Sequence, residues 1–387
     1  MSANPPPDPA TAAADALHFD SVVIDTHDDV TQLLALEDAN IIAAVPDAQT
    51  DVPRMRAGGL DAEFLSVWVP PQLYPGEKAY AYSLAQFDAI DRLVARAPES
   101  VVLARTVAEV RSAVAAKKTV FLIGVEGGHG LGDAPDDKLL ARLKEFYDRG
   151  ARYMTLTWSN SNRIGGSSGD AGKTRGLSPF GRRVVKAMND MGMMVDISHV
   201  SDATFFDAVK ASSKPVIASH SSARALCDAP RNMTDEMLRA VAANGGAVCV
   251  NFGPEFIDPE WRGKWEALQK AFGEQMAAAV KAHAGDPKAI ELAVRPSFHA
   301  LAAQLPQPPA SRVVDHIEHI AKVAGADHVC LGSDFDGIPI GPAGLDDVSH
   351  FPFITEELAR RGFTPDDIRK ILGENVLRVL AANEVKR

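Results

Sequence analysis

The sequence predicts an α/β fold, a (β/α)8 TIM-type barrel with a helical insertion after the seventh strand. Short β-branched runs alternate with longer segments of helical periodicity, which is typical of parallel β/α units. About eight such runs occur in the 387 residues, the number that closes a barrel of this kind. Histidines and carboxylates follow five of them, at the strand ends where barrel active sites lie.

The predicted strands are short apolar runs, most of which are followed by polar residues or glycine. In chain order they cover Val22–Asp28, Ala62–Val69, Thr119–Val125, Arg152–Thr157, Met193–Ser198, Pro215–Ser219, Ala247–Phe252 and His328–Ser333. Amphipathic helices are predicted between them, for example over Asp136–Arg149, Phe180–Met191 and Ser311–Ala324. Asp202 is the expected N-cap of another helix, which extends to Lys210.

Two segments fall outside the β/α alternation. Residues 1–17 are rich in proline and alanine and are predicted to be a disordered leader to a single metallohydrolase domain, 18–387. The leader lacks the features of an export signal, although a signal removed earlier would leave the same sequence. We therefore expect a soluble protein, periplasmic if a signal was removed and otherwise cytoplasmic. The insertion, 254–310, is predicted to lie over the barrel mouth.

The composition, 46% hydrophobic and 24% charged, is that of a soluble globular protein. A net charge of −11 argues against nucleic acid or an anionic membrane as partner, and no apolar run is long enough for a membrane span. Cys227, Cys249 and Cys330 are too few and too scattered for a disulfide framework. Cys249 and Cys330 lie in predicted strands, where we expect them to be small core residues.

The first strand ends in a group of metal-binding residue types, V-V-I-D-T-H-D-D-V. Alternate residues of a strand share a face, so Asp25, His27 and Asp29 are predicted to point the same way. An imidazole and a carboxylate two residues apart form a clamp that suits Zn²⁺ or a similar ion. Such a tripeptide alone is weak evidence, so the later strand ends decide its meaning.

Four later strand ends supply matching residues, and a barrel would bring them to one rim. They are Glu126 in G-V-E-G-G-H-G, His199 in D-I-S-H-V, His220 in A-S-H-S-S and Asp334 in G-S-D-F-D-G. This set predicts a two-metal hydrolase, with one ion on the first-strand pair, the second on His199 and His220, and Glu126 bridging. Two cations about 3.5–4 Å apart share a hydroxide, lower its pKa and polarise the carbonyl under attack. Asp334 would then move a proton from that water to the leaving amine.

The sequence resembles the membrane (renal) dipeptidase family, zinc dipeptidases distantly related to the amidohydrolases. The resemblance covers nearly all of Val22 to Leu380 and rests on D-T-H-D-D, G-V-E-G-G-H, R-Y-M-T-L-T, D-I-S-H-V-S, P-V-I-A-S-H-S-S-A, P-R-N-M, V-N-F, D-H-I-E-H-I and G-S-D-F-D-G. It implies two Zn²⁺ ions with the ligand roles given above, and Asp334 near the bridging water. It also implies a homodimer, and an Arg231 that binds the substrate's C-terminal carboxylate, a task that a guanidinium fork suits.

Two residues depart from the family pattern. Mammalian members have histidine after T-L-T, where it is thought to stabilise the oxyanion, and this sequence has Trp158. The mammalian tyrosine after V-N-F aligns with Phe256. We expect the metals to tolerate both changes. The changes bear on substrate preference, and we expect Trp158 to form a wall of the pocket.

Other polar residues near the motifs are expected to have structural roles. Asp25 and His129 are predicted to support the site through hydrogen bonds or loop structure rather than as ligands. His316 and His319 share a helix that covers the barrel, and Asp336 lies in a turn signature.

The leading functional hypothesis is a zinc dipeptidase that cleaves small dipeptides, L,L and possibly L,D. A second keeps the metals but changes the substrate to an N-acyl amino acid or a lactone, which Trp158 would allow. A third is a catalytically silent metal-binding protein. Asp334 argues against the third, because a protein that only binds metal has no use for a proton shuttle.

Overall fold

Eight parallel strands close into a barrel in the structure, a computed structural model that describes residues 9–170 and 175–385. The pairing of β2 with β4 and of β9 with β1 completes the ring, which confirms the predicted fold class. The strands are β1 Ile24–Asp28, β2 Ala62–Trp68, β3 Val101–Leu103, β4 Thr119–Glu126, β5 Ala151–Thr155, β6 Met194–Asp196, β7 Ile217–Ala218, β8 Ala247–Val250 and β9 Val329–Leu331. Strand β3 was not among the predicted strands; its three residues pair with the start of β4 outside the ring.

Helices surround the barrel and, among the described residues, none is long and apolar enough to cross a bilayer. They are α1 Pro9–Asp20, α2 Thr31–Glu37, α3 Val52–Ala57, α4 Glu77–Arg96, α5 Val107–Ala115, α6 Asp136–Asp148, α7 Pro179–Met191, α8 Asp202–Ala211, α9 Asp235–Asn244, α10 Pro254–Ile257, α11 Pro259–Ala282, α12 Pro287–Ala302, α13 Ser311–Ala324, α14 Pro352–Arg360, α15 Pro365–Arg369 and α16 Asn375–Asn383. The N-cap of α8 is Ser201, whose side chain accepts from the backbone N–H of Thr204, so the predicted cap at Asp202 is wrong by one residue.

The barrel interior is apolar below the rim, and Tyr153 packs there against Phe64 with ring centroids 5.4 Å apart. Cys249 and Cys330 are register partners on β8 and β9 and form a disulfide. Both are buried in the core, as expected, but the disulfide between them was not predicted. The two cysteines are 81 residues apart in the sequence, and the strand register brings them into contact.

Helix α1 includes residues 9–17, for which the prediction of a disordered leader is wrong; residues 1–8 lie outside the described part of the chain. The helix is held through His18, which is buried. Its Nδ1 lies 2.7 Å from the Thr355 hydroxyl on α14, and its Nε2 lies 2.8 Å from the Gly58 carbonyl oxygen. This pair of hydrogen bonds joins the N-terminal helix to two distant segments.

The insertion follows β8 and contains α10, α11 and α12. It touches the rim of the barrel, where Arg295 of α12 lies 3.5 Å from the Asp336 carboxylate in the loop after β9. A small aromatic cluster that includes Trp261, Trp265 and Phe298 packs α11 against α12. The domain limit of 18–387 stays a prediction.

We expect His18→Ala to lower the free energy of unfolding by about 2–3 kcal/mol, because it removes two buried hydrogen bonds and leaves a cavity. Urea denaturation followed by circular dichroism would measure this. His283→Ala is the control, since His283 is exposed at the end of α11. Equal stability of the two variants would contradict the anchoring role of His18.

Candidate metal centre

The five predicted metal ligands and the predicted proton shuttle, Asp334, meet at the carboxyl ends of the strands. Glu126 is the last residue of β4 and lies between two groups of side chains. Its Oε1 is 2.8 Å from Nε2 of His199 and 3.4 Å from Nε2 of His220. Its Oε2 is 3.6 Å from Nε2 of His27. One carboxylate therefore faces both predicted metal positions.

A second group of ligand atoms gathers around His27. Its Nε2 is 3.7 Å from the Asp29 carboxylate and 3.9 Å from that of Asp334. Ligand atoms of His27, Glu126 and His220 lie within 4.8 Å of one another, and so do those of His27, Asp29 and Asp334. Buried imidazole nitrogen and carboxylate oxygen are donors that zinc and similar first-row ions prefer.

The imidazole of His27 is held in the tautomer that a metal ligand needs. Its Nδ1 lies 2.8 Å from the Tyr153 hydroxyl, and that hydroxyl donates to the Thr26 carbonyl oxygen at 2.9 Å. The hydroxyl must therefore accept from an N–H at Nδ1 of His27, which in the neutral ring leaves a lone pair on Nε2. This nitrogen is buried and has no hydrogen-bond partner within the described ranges.

His220 is oriented by a similar relay. Its Nδ1 is 2.7 Å from the Ser219 hydroxyl, which donates to the Asp196 carboxylate at 2.7 Å. Nδ1 of His199 is 3.3 Å from the Ser159 hydroxyl. Burial lowers the pKa of both His199 and His220, and neutral imidazole is the form that binds metal.

The spacing of two imidazole nitrogens tests whether a metal fits the site. Nε2 of His199 and Nε2 of His220 lie 3.0 Å apart. Two unprotonated nitrogens at this distance repel each other unless a cation or a proton lies between them. The unpartnered Nε2 of His27 points to the same need. The donor set therefore fits a bound metal.

Backbone conformation at the rim is unusual in the way expected of a functional site. His199 and Asp334 adopt left-handed conformations, with φ of 64° and 65°. The carbonyl of His199 accepts from the Ser168 N–H at 2.8 Å, and the Asp334 N–H donates to the His27 carbonyl at 3.0 Å. These bonds fix the two turns that aim the side chains.

The side chains at the end of β1 do not strictly alternate between the two faces of the strand. A register shift between Asp25 and Asp28 interrupts the pairing of β1 with β2, so the expectation that Asp25, His27 and Asp29 share one face does not hold as stated. Asp25 accepts from the N–H of Ser333 at 2.8 Å and of His27 at 3.3 Å. It supports the ligand loops through hydrogen bonds, as predicted.

Asp334 has both a structural partner and a free oxygen. Its Oδ2 accepts from the Asn251 amide at 2.7 Å, while Oδ1 faces His27. Burial raises the pKa of Asp334 to about 6. A carboxyl with this pKa is suited to exchange protons near neutral pH.

Arg231 lies beside the centre and has an N–H group without a hydrogen-bond partner among the described residues. Its guanidinium donates to the His220 carbonyl at 3.1 Å and to the Ser221 hydroxyl at 3.3 Å, and its buried Nε has no partner among the described residues. The Phe256 ring covers it at 5.4 Å. Asn232 holds the two segments together through a 2.8 Å bond to the Phe256 carbonyl.

Trp158 packs on the rim, with ring centroids 5.1 Å from Trp68 and 6.3 Å from His199. No hydrogen bond of its indole N–H is found in the described part of the chain, which agrees with a wall of the site.

The remaining candidates bind structural partners. These pairs are His129 with the Val69 carbonyl, His316 with the Ala223 N–H, His319 with Asp235, and Asp336 with the Gln49 and Thr50 N–H groups.

Several residues that hold the proposed ligands, Asp334 and the Arg231 segment in place were not assigned from the sequence. They are Tyr153, Asp196, Ser219, Asn232 and Asn251. Each lies inside a quoted motif, beside a ligand or at a strand end, and that position was the available signal. The partners of Tyr153, Asp196 and Asn251 lie at other strands and that of Asn232 on α10, so the motifs alone did not reveal these roles.

The barrel and its donor set together define a metal-dependent hydrolase of the TIM-barrel class. A family model described as membrane dipeptidase (peptidase family M19) matches residues 11–387. The chain belongs to this family and is a metal-dependent dipeptidase, a hydrolase that acts on peptide bonds.

Solved structures agree with this assignment. The chain resembles the probable dipeptidase PvdM from Pseudomonas aeruginosa in fold, with a TM-score of 0.80 at 24% identity over 97% of this chain and 98% of that one. A metallo peptidase from Rhodobacter sphaeroides, bound to a phosphinate mimic of the dipeptide L-Ala-D-Ala, has a TM-score of 0.75 at 25% identity over 94% and 100%. The dipeptidase AC, also a metallo peptidase, has a TM-score of 0.75 at 26% identity over 94% and 98%.

We expect Tyr153→Phe to weaken metal binding by about tenfold or more, because the N–H of His27 loses the acceptor that fixes its tautomer. Metal titration of the stripped protein, followed by calorimetry, would measure the change. Tyr147→Phe is the matched control, since Tyr147 lies on α6 away from the centre. Equal metal affinity in the two variants would show that Tyr153 does not support His27.

Proposed function

We propose that the protein is a binuclear zinc dipeptidase. The observation that carries this proposal is the position of Glu126, whose two oxygens face different groups of ligands. His27 and Asp29 would hold one ion, His199 and His220 the other, and Glu126 both. When bound, the two ions supply an activated water and polarise the carbonyl of the scissile amide.

The residues around the centre would position a short peptide. Arg231 would bind the C-terminal carboxylate through its uncommitted N–H groups, and Phe256 would keep the guanidinium in place. Asp334 would take the proton of the attacking water on its free oxygen and pass it to the leaving amine. Asn251 holds the other oxygen and keeps the carboxyl in position for both transfers.

Trp158 would limit the size of the substrate residue that binds. The metal cations, and not Trp158, would stabilise the oxyanion. Its indole lies against Trp68 and His199, a packing that supports a wall more than a hydrogen-bond donor.

The Rhodobacter sphaeroides relative carries a mimic of L-Ala-D-Ala, which supports tolerance of a C-terminal D-residue here. A disulfide such as Cys249–Cys330 persists in oxidising compartments, which favours the periplasmic alternative. A homodimer stays a prediction.

A dipeptide screen tests the proposed activity. Zinc-loaded protein would be assayed against L,L and L,D dipeptides, with N-acetylated dipeptides and a lactone as controls. We expect cleavage of free dipeptides and little activity on the controls. Hydrolysis of only the acetylated compounds or the lactone would shift the assignment to another small-molecule hydrolase, and no hydrolysis of any compound would favour a silent metal-binding protein.

We expect close to two zinc equivalents per chain in the wild type and no more than about one in Glu126→Ala, because that variant lacks the shared ligand. Elemental analysis after dialysis would give the metal content. Glu236→Ala is the control, since Glu236 is exposed on α9. Two tightly held ions and full activity in Glu126→Ala would overturn the bridging role.

We expect Asp334→Asn to keep its zinc and to lose about a hundredfold or more in kcat, the usual contribution of a general acid or base. Turnover and metal content would be measured on the same samples, with the exposed Asp190→Asn as control. The carboxylate of Asp334 is almost as close to His27 as that of Asp29 is. Joint loss of zinc and turnover would therefore reassign Asp334 as a ligand.

A further inference from the structure

The segment that carries Arg231 has no helix or strand of its own. It lies between β7 and α9, and residues 228–233 belong to neither element. A backbone bond joins the segment to the end of β7, where the Met233 N–H donates to the Ser222 carbonyl at 2.8 Å. Side chains that bind the segment from outside therefore contribute much of what positions Arg231.

The side chain of Arg224 holds this segment on both sides of Arg231. Its Nε donates to the Asn232 carbonyl at 2.8 Å, and its Nη2 donates to the Pro230 carbonyl at 3.1 Å. Pro230 and Asn232 are the residues directly before and after Arg231. One guanidinium thus fixes the backbone from which the Arg231 side chain extends.

Arg224 is itself oriented by Asp202 in the first turn of α8. Its Nη1 and Nη2 donate to the two oxygens of that carboxylate, each at 2.8 Å. Asp202 is exposed, and an exposed ion pair adds little stability by itself. A pair with two parallel bonds does, however, fix the plane of the guanidinium. The segment of Arg231 is therefore tied through Arg224 to helix α8.

The contacts of Arg224 require the guanidinium fork. Its three nitrogens make four hydrogen bonds, to the Asp202 carboxylate and to two backbone carbonyls. A lysine carries all its donors on one nitrogen and cannot reach these acceptors together. The function of Arg224 in this place depends on its shape and not only on its charge.

We propose that Arg224 is a positioning residue for substrate binding, which holds Arg231 where it meets the C-terminal carboxylate of the dipeptide. This inference rests on the proposed dipeptidase activity. The carboxylate keeps its charge throughout the reaction, so its contact with Arg231 stabilises the bound substrate and the transition state alike. Loss of such a contact raises KM and leaves kcat nearly unchanged.

The test compares Ala-Ala with Ala-Ala amide, which lacks the charge that Arg231 would bind. Arg224→Met should raise KM for Ala-Ala about tenfold and keep kcat within about threefold of the wild type, because the carboxylate contact is misplaced. For the amide, KM should stay within about threefold. If the amide is cleaved slowly, its inhibition constant against Ala-Ala replaces KM.

Arg224→Lys separates position from charge. Lysine keeps the positive charge near Arg231 but cannot make the fork, so we expect the same increase in KM as in Arg224→Met. A wild-type KM in Arg224→Lys would show that the charge suffices, and would overturn the inference. Asp202→Asn leaves the arginine in place and should raise KM for Ala-Ala about threefold, since the guanidinium is less well oriented.

Arg262→Met is the matched control. Arg262 lines the same groove as Arg224 and pairs with Glu266 at 2.9 Å, but among the described residues it forms no bond with residues 228–233. This variant should keep the wild-type KM for Ala-Ala. Zinc content would be measured for every variant, and we expect it to be unchanged.

The outcomes separate this inference from the proposed function. If the wild type cleaves no dipeptide, both fall. If it binds Ala-Ala and the amide equally well, the inference falls and the dipeptidase activity stands. Unchanged KM in the Arg224 variants, or an equal rise for both substrates, would overturn the inference alone. If the Arg224 variants do not fold, an unchanged KM in Asp202→Asn would overturn it.

Discussion

The orientation of three buried imidazoles around one carboxylate is the constraint on which the site depends. A histidine binds metal only through a nitrogen without a proton, so hydrogen bonds must fix which nitrogen of each ring carries the hydrogen. The Tyr153 hydroxyl does this for His27, because its own hydrogen is committed to a backbone carbonyl. Ser219 does the same for His220 through its bond to Asp196. The resulting free nitrogens face Glu126 and one another, an arrangement that only a cation or a proton stabilises.

This orientation in turn depends on small residues inside the barrel. A Cβ added at Gly124 would lie 1.9 Å from the ring of Tyr153, so only glycine there allows the tyrosine to reach across to His27. A Cβ at Gly332 would lie 1.9 Å from the Ser219 carbonyl oxygen, beside the turn that carries His220. The glycines of the G-V-E-G-G and C-L-G-S-D segments therefore admit the side chains and backbone that fix the ligands.

The sequence could predict the parts of this structure that follow from local pattern. Strand runs ending in histidine or carboxylate pointed to the candidate metal-centre residues, because a parallel barrel gathers all such ends on one rim. Contacts between distant segments gave no comparable signal. The Cys249–Cys330 disulfide depends on strand register, and the order of α1 depends on the bonds of His18 to two remote segments. Tyr153 was likewise unassigned, since its partner His27 lies 126 residues away.

The barrel and the insertion contribute different properties to the site. Metal ligands need positions fixed to a fraction of an ångström, and strand ends in a closed ring provide them because every strand is held on both sides. Selectivity among side chains needs a surface that can differ while the ligands stay in place. Helix α10 provides such a surface, since Phe256 covers Arg231 without being part of any barrel strand. A change at Phe256 would alter the surface beside Arg231 and leave the bonds of Tyr153, Ser219 and Asp196 intact. Substrate preference would therefore be separable from metal binding in this protein.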